Sequence, residues 1–487
     1  MIDLTENSEQ LEQAIKNAKE NNIILPTFEQ MKNPNLIPDK IKEELKGLGL
    51  WEINSRNLFR ITWKNENIET GGQFWDLPNF LELPSELTGV KARILILLGK
   101  FFPTGAHKVG AAYGCLVPRL VTGQFDPYKH QAVWPSTGNY CRGGAFDSKI
   151  MNVHSVAILP EGMSQERFDW LESVAKEVIK TPGTESNVKE IYDMCDVLRE
   201  TRENAIILNQ FDEFGNHLWH YEVTGNAIHE MLQDSMGPND TFFGSCYTTG
   251  SAGTIGAGDF LKEKYPTSKI AAGEALQCPT MLMNGYGDHR IEGIGDKHIP
   301  WIHNVRNTDM VIAIDDNDPM NLIRLFNEPA GLELLKEKGV KPELVEKLHL
   351  FGISSIANIL MSIKMAKYYN LDENDVIVTI STDSMEMYQS RLNEAKDKYG
   401  PYTATNAAID YVRLIEGIKT DSMKELTHLD KKAIHHLKYY TWIEQQGKTV
   451  EELDAQWFDK NYWKNIHALT PKLDELINRF NDKVGLL

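Results

Sequence analysis

Between about residue 81 and about residue 390 the chain alternates short apolar runs with helical patterns, and this alternation narrows the possible folds most. The apolar runs fall at 92–98, 133–134, 155–159, 205–208, 241–243, 269–272 and 376–380. Helical periodicity lies between them, for example at 164–180, 187–203, 221–233 and 258–264. Short apolar runs without polar alternation suit strands buried on both faces. Strands alternating with helices predict an α/β architecture of mostly parallel sheets wrapped by helices. In such sheets ligands gather at the carboxyl ends of the strands, where the connecting loops open. Chemistry is therefore to be sought in the loops that follow these runs.

The regions outside this pattern read differently. In residues 1–80, Ser8 is expected to cap a helix carrying Leu11, Ile15 and Ala18 on one face, and the stretch onward to Phe74-Trp75-Asp76-Leu77-Pro78 reads as mostly irregular. Beyond about 390 the pattern is helical, with Leu426, Leu429, Ala433, Leu437 and Tyr440 at near-helical spacing and Gly447 as a stop. Trp442, Trp457 and Trp463 give this tail enough apolar surface to dock on the body of the chain or on a second subunit.

Five loops carry the residues of interest. After the run 92–98 comes Pro103-Thr104-Gly105-Ala106-His107-Lys108-Val109, a tight turn that leads into a small-residue helix. Lys108 thus sits just inside a strand-to-helix junction, where apolar neighbours would desolvate its ammonium. Desolvation favours the neutral amine, which is a nucleophile; the plain alternative is an ordinary first-turn lysine. Ser136-Thr137-Gly138-Asn139 follows the run at 133–134 and offers hydroxyl, amide and backbone donors for a carboxylate, although the same residues also make turns. Gly250-Ser251-Ala252-Gly253-Thr254 leads into a helix, so its N–H groups and the dipole end form an anion cradle. It lacks the Gly-Lys-Ser/Thr of a nucleotide loop, and Leu261 stands where a dinucleotide fingerprint needs its third glycine. The fourth loop is Arg290-Ile291-Glu292-Gly293-Ile294-Gly295-Asp296-Lys297-His298-Ile299-Pro300, and the fifth is Thr382-Asp383-Ser384.

Charge and composition narrow the partners. The formal net charge is −18, from 51 basic and 69 acidic residues, which argues against nucleic acid or an anionic membrane as a partner. The five cysteines (Cys115, Cys141, Cys195, Cys246, Cys278) are scattered and lack CxxC spacing, as expected in a reducing cytoplasm. The N-terminus has no basic region followed by an apolar core, and no apolar run approaches the roughly 18 residues of a spanning helix. No histidine group has a complete metal-ligand set. His217 and His220 are three apart, His435 and His436 are adjacent, His289, His298 and His303 are only loosely clustered, and His229-Glu230 lacks a second histidine, Gln233 standing in its place. No catalytic metal is expected.

Taken in order, these five loops resemble the fold type II pyridoxal-phosphate enzymes, the group of cysteine synthase, cystathionine β-synthase and the tryptophan synthase β subunit. The likeness spans about 80 to 390, with lesser echoes at Leu159–Ser164, Val223-Thr224-Gly225 and Gly352-Ile353-Ser354-Ser355. It implies two lobes, at 81–220 and 221–390, between helical extensions at 1–80 and 391–487. It implies pyridoxal 5'-phosphate bound as a Schiff base to Lys108, with His107 beside it and its phosphate held by Gly250, Ser251, Ala252, Gly253 and Thr254. Asn139 would contact the ring oxygen and Ser384 the ring nitrogen. Ser136, Thr137 and Gly138 would hold the substrate carboxylate, and the loop with Gly293 and Asp296 would close over the substrate. Tyr140-Cys141-Arg142 and Asp296-Lys297-His298 depart from the cysteine-synthase pattern. With Arg290, these charges suggest a polar substrate side chain, unless they are solvated loop charges.

The resemblance further implies a cytoplasmic homodimer acting on a small amino acid by β-elimination or β-replacement through an α-aminoacrylate. A neutral Ser384 at the ring nitrogen would make the ring a weaker electron sink and favour prompt loss of a β-leaving group. The alternatives are the cofactor-bearing subunit of a multi-subunit synthase or amino-ketone thiolase and, more remotely, an inactive cofactor-binding partner protein.

Overall fold

The computed structural model describes residues 2–66 and 72–487. Its strands are β1 (Phe80–Leu83), β2 (Arg93–Leu98), β3 (Gln131–Pro135), β4 (His154–Pro160), β5 (Glu177–Thr181), β6 (Ala205–Ile207), β7 (Thr241–Thr248), β8 (Lys269–Ala275), β9 (Met310–Ile314), β10 (Asp375–Ser381) and β11 (Met423–Glu425). They form a seven-stranded sheet of order β1-β2-β10-β7-β8-β9-β11 and a four-stranded sheet of order β5-β4-β3-β6. The smaller sheet is parallel throughout. In the larger one the five inner strands are parallel, and β1 and β11 close the edges antiparallel. The expected α/β architecture is observed.

Local sequence explains most of these elements. In β2 every residue from Ile94 to Leu98 is buried, as its unbroken aliphatic run requires. The helix Ile353–Tyr369 is buried from Ile353 to Ala366, because it lies between the larger sheet and an outer helical layer. Its Asn358 is a buried amide with both ends matched. The side-chain N–H donates to Ile380 O at 2.8 Å, and the side-chain oxygen accepts from Thr248 N at 2.7 Å, tying the helix to β10 and β7.

Several expectations are corrected. The pattern at 164–180 is a helix only over Gln165–Val174; Val178 and Ile179 then belong to β5, which pairs with β4. The pattern at 221–233 begins earlier. Helical structure starts at Phe214 and reaches Ser235 through a wider turn at His220–Thr224. The apolar strand β9 was not singled out at all. Asn7, not Ser8, caps the first helix (Ser8–Glu20), its side chain accepting from Gln10 N. The stretch read as irregular carries short helices at Phe28–Lys32, Asp39–Leu45 and Ser55–Arg60, each too brief to generate a periodic signal.

Strand β2 lies within 81–220, yet it pairs in parallel register with β10 from Arg93↔Val376 to Leu98↔Ser381. The chain therefore starts in the larger sheet, leaves it after Leu98, builds the smaller sheet, and returns at Thr241. Loops after β2, β3, β7 and β10 all emerge from carboxyl ends of parallel strands. The tail docks on the body of its own chain: Trp442, Tyr462 and Trp463 pack in one buried cluster with Phe211, Phe214, Trp301 and Ile302. Leu429, expected on the apolar stripe of the tail, is exposed. No described helix is long and apolar enough to cross a membrane.

Candidate active site

The turn after β2 holds Lys108 by strained backbone. Thr104 and Gly105 both adopt positive φ, 67° and 68°, and for a β-branched residue such as Thr104 this conformation is costly. A Cβ on Gly105 would lie 2.8 Å from the Trp51 ring, so a residue of the N-terminal extension braces the turn. The helix Lys108–Thr122 starts immediately after it. The Lys108 amine donates to Ser251 Oγ at 3.0 Å and to Gln210 Oε1 at 3.3 Å. Burial lowers its pKa to about 8, while Asp296 pulls in the opposite direction. At neutral pH a sizeable share of this amine carries a free electron pair.

One cavity gathers most of the expected residues. Lys108, Ser136, Thr137, Asn139, Gly250, Ser251, Gly293 and Asp296 all line it. Gly138 does not, but its N–H donates to Ser136 Oγ at 3.1 Å, and a Cβ there would meet Arg167 Nη1 at 2.2 Å. His107 is packed behind the cavity, with its Nε2 3.3 Å from Thr382 Oγ1 and its ring between Trp63 and His220. Burial, and then the Lys108 charge, push its pKa well below the usual histidine range, so it is a neutral packing group. Ser384 is buried outside the cavity; from the same segment it is Thr382 that lines the wall.

Asn139 does not project freely. Its side-chain N–H donates to Asp383 Oδ2 at 2.6 Å, and Tyr388 Oη donates to the same oxygen at 2.6 Å. Arg167 ties this network to the Ser136–Asn139 loop, donating to Thr137 O and to Tyr388 Oη, each at 2.8 Å, and lying 3.2 Å from Glu292. Asp296 is buried near Lys108, and burial raises its carboxyl to about 7. Of the other charges weighed for a polar substrate, none lines this cavity, although Arg290 lines the larger one beside it. Arg142 stacks between Trp51 and Trp170, Arg290 pairs with Asp316, Lys297 pairs with Asp288, and His298 is buried against Tyr192.

Gln210, Glu185 and Arg167 belong to the site but were not anticipated. Gln210 and Glu185 follow the carboxyl ends of β6 and β5, the positions where such sheets bind ligands. Glu185 was passed over because β5 was read as the end of a helix.

The residues present fit a pyridoxal phosphate. Thr249 N–H closes the strand ladder on Gly273 O, and the helical pattern resumes with Ile255 N–H on Ala252 O. Among the described residues, the N–H groups from Gly250 to Thr254 have no backbone acceptor between those two points. Ala252 adopts φ 61°, a turn that lines up successive N–H groups around an anion. This free cradle stands within hydrogen-bond reach of the Lys108 amine, through Ser251. Ala252, Gly253 and Thr254 lie behind the cavity wall, not on it.

A metal centre has less support. Among the described residues the one group of possible ligands is His217, Asp259 and His467, all buried. The imidazole Nε2 atoms are 3.0 Å apart in nearly coplanar rings, and both Asp259 oxygens already accept from Asn304 and Asn307. Lone pairs that face each other across 3.0 Å share a proton and leave no room for an ion.

Comparison with known proteins agrees with this geometry. A family described as "Pyridoxal-phosphate dependent enzyme" matches residues 78–334. The chain is 27% identical over 303 residues to a probable cysteine synthase of Bacillus subtilis, covering 61% of this chain and 89% of that one. It is 30% identical over 260 residues to a cysteine synthase of Staphylococcus aureus, covering 53% and 75%. Among solved structures it resembles a cysteine synthase of Entamoeba histolytica with a TM-score of 0.56 at 23% identity, covering 70% and 93%.

Proposed function

The chain belongs to the pyridoxal-phosphate-dependent enzyme family, and on that premise we propose that it carries out β-elimination or β-replacement on a small, polar amino acid. The observation that carries this reading is the buried Lys108 amine, shifted toward its neutral form and hydrogen-bonded to Ser251 of the anion loop. Relatives named cysteine synthase support the reaction class.

When bound, the cofactor supplies a conjugated ring that accepts the electron pair left at the substrate α-carbon. The chain's own residues do the rest. The N–H groups of Gly250–Thr254 hold the phosphate, aided by the N-terminus of the helix Ile255–Lys264. Ser136, Thr137 and Gly138 bind the substrate carboxylate. Lys108 would anchor the cofactor, and its neutral amine is placed to take the α-proton of a bound amino acid. Asn139, braced by Asp383, would orient the ring, with Thr382 beside it on the cavity wall and His107 packed behind. Gly293 and Asp296 close the site, with Gly293 at φ 100° providing the turn.

The same reading makes the protein a cytoplasmic homodimer of two lobes, 81–220 and 221–390, between its extensions. The five free, buried cysteines support the compartment, and family likeness alone supports the dimer, which light scattering on the purified protein tests. The function itself is tested by incubating holoenzyme with serine, cysteine, O-acetylserine, β-chloroalanine and diaminopropionate. Release of a keto acid and ammonia, or transfer of an added thiol, is expected. A protein that turns over none of them, with or without a thiol, would end this reading.

A further inference from the structure

We propose that Glu185 is a catalytic acid–base group, giving its proton to the group that leaves the substrate β-carbon and taking one from a nucleophile that replaces it. This rests on the β-elimination or β-replacement reading above.

The argument begins with position. Beside the cavity that holds Lys108 lies a larger one of about 290 Å³, with Met163, Thr184 and Arg391 in its lining. Glu185 is the one residue that lines both. With an amino-acid carboxylate held at Ser136–Gly138 and its α-hydrogen toward Lys108, Glu185, bonded to the Thr137 hydroxyl at the junction, is a carboxyl group beside the substrate on the outer-cavity side.

The carboxyl group is fixed and yet available. It accepts from the Thr137 hydroxyl, and the Gly293 N–H stands close enough to act on it, so the two loops that bracket the substrate hold it. Oε2 is buried and has no hydrogen-bond partner. Arg167 stands 4.0 Å from that oxygen, farther than its contacts with Thr137 O, Tyr388 and Glu292. Burial raises the carboxyl pKa to about 8, Glu292 adding to the effect and Arg167 opposing it, so the group carries a proton to donate near neutrality.

The step balances. The α-C–H electron pair becomes the second Cα–Cβ bond, and its proton passes to the Lys108 amine. The Cβ–X pair leaves with X, and X takes the Glu185 proton. The substrate has lost H–X, and proton exchange through the outer cavity returns Lys108 and Glu185 to their starting forms.

Leaving groups of different basicity separate this role from a structural one. Chloride needs no proton and the hydrosulfide of cysteine little; the hydroxide that leaves serine and the amide ion that leaves the neutral β-amine of diaminopropionate do. In E185Q holoenzyme, kcat on serine or diaminopropionate, whichever the wild type eliminates faster, should fall by about 10²–10⁴-fold. On β-chloroalanine the loss should stay within about threefold, because no acid contribution is at stake there. Difference infrared spectra of the holoenzyme across neutral to alkaline pH should lose one protonated-carboxyl band in E185Q, a readout independent of turnover. If E185Q does not accumulate as holoenzyme, E185D, which keeps the acid but retracts it by one methylene, should show the same leaving-group dependence at smaller size. Equal losses on both kinds of substrate, no loss on either, or an unchanged infrared spectrum would overturn the role while leaving the reaction intact. A wild type that eliminates neither kind would overturn the reading of the function, and this role with it.

Discussion

Replacing Gly253 with alanine tests the anion loop with a single methyl group. The backbone there has no positive φ, so alanine suits the local conformation and only the added carbon decides the outcome. That carbon would lie 2.2 Å from Asn216 Oδ1 and 2.9 Å from His220 Cδ2, more than 1 Å inside an ordinary contact. Asn216 has little freedom to yield, because its side-chain N–H donates to Gln210 O at 2.9 Å and to Ser251 Oγ at 3.0 Å. Ser251 in turn accepts from Lys108. Overpacking of this kind costs about 1–3 kcal/mol, and loosening two buried hydrogen bonds adds about 0.5–1.5 kcal/mol each. If about 1–3 kcal/mol of the total falls on the loop geometry, cofactor affinity drops by roughly 5- to 150-fold. Titration of cofactor-free protein with pyridoxal phosphate, followed by absorbance, measures this directly. Gly237→Ala is the control, since its new carbon meets nothing closer than 3.7 Å. Gly253→Ala protein with the affinity and Tm of the control would refute the assignment of the loop.

Three further outcomes are expected. Lys108→Ala should still bind the cofactor through the anion loop but leave none attached to the chain after borohydride, as peptide mass spectrometry reports, and should lose turnover; normal turnover would dismantle the site. Because burial lowers the Lys108 pKa to about 8, its amine is charged below that pH and becomes neutral above it. At pH 7 about a tenth is neutral, against roughly one part in 3,000 for an ordinary lysine. The rate at which cofactor-free protein captures a carbonyl reagent should therefore rise through about pH 8, and a midpoint near the ordinary lysine value would contradict the desolvation argument. Trp442→Ala should destabilise the protein by about 3–5 kcal/mol. It empties a fully buried site and leaves Ile299 O without the indole donor now 2.8 Å away. Thermal unfolding within about 1 °C of wild type would show that the tail is not docked there.

The sequence was most legible where local chemistry and tertiary demand coincide. An aliphatic run such as Ile94–Leu98 can only be a buried strand. A glycine-rich loop before a helix tends to leave N–H groups unpaired, and a lysine among small residues at a strand end is readily desolvated. These facts depend on neighbours in sequence, so Lys108, Ser136–Asn139 and Gly250–Thr254 could be named from the chain itself, and the resemblance gave them their order. Glu185 was lost for the opposite reason. Glu177–Thr181 has a pattern that serves helix or strand, and only pairing with β4 decides between them. Ser384 and Thr382 differ by two positions, and the turn after β10, not composition, selects which one reaches the cavity. Arg142, Arg290, Lys297 and His298 looked alike as charged or polar loop residues, yet each found a partner elsewhere in the fold.

Sequence by itself thus determined the α/β architecture and marked Lys108 and Gly250–Thr254 as candidates for nucleophile and anion loop, because periodicity, turn chemistry and helix-end electrostatics act over a few residues. Tertiary structure alone decided the pairing of β2 with β10, the union of Lys108 with Ser251 and Gln210, and the position of Glu185 between two cavities. Those depend on contacts between segments a hundred or more residues apart, for which a single sequence carries no local energy term.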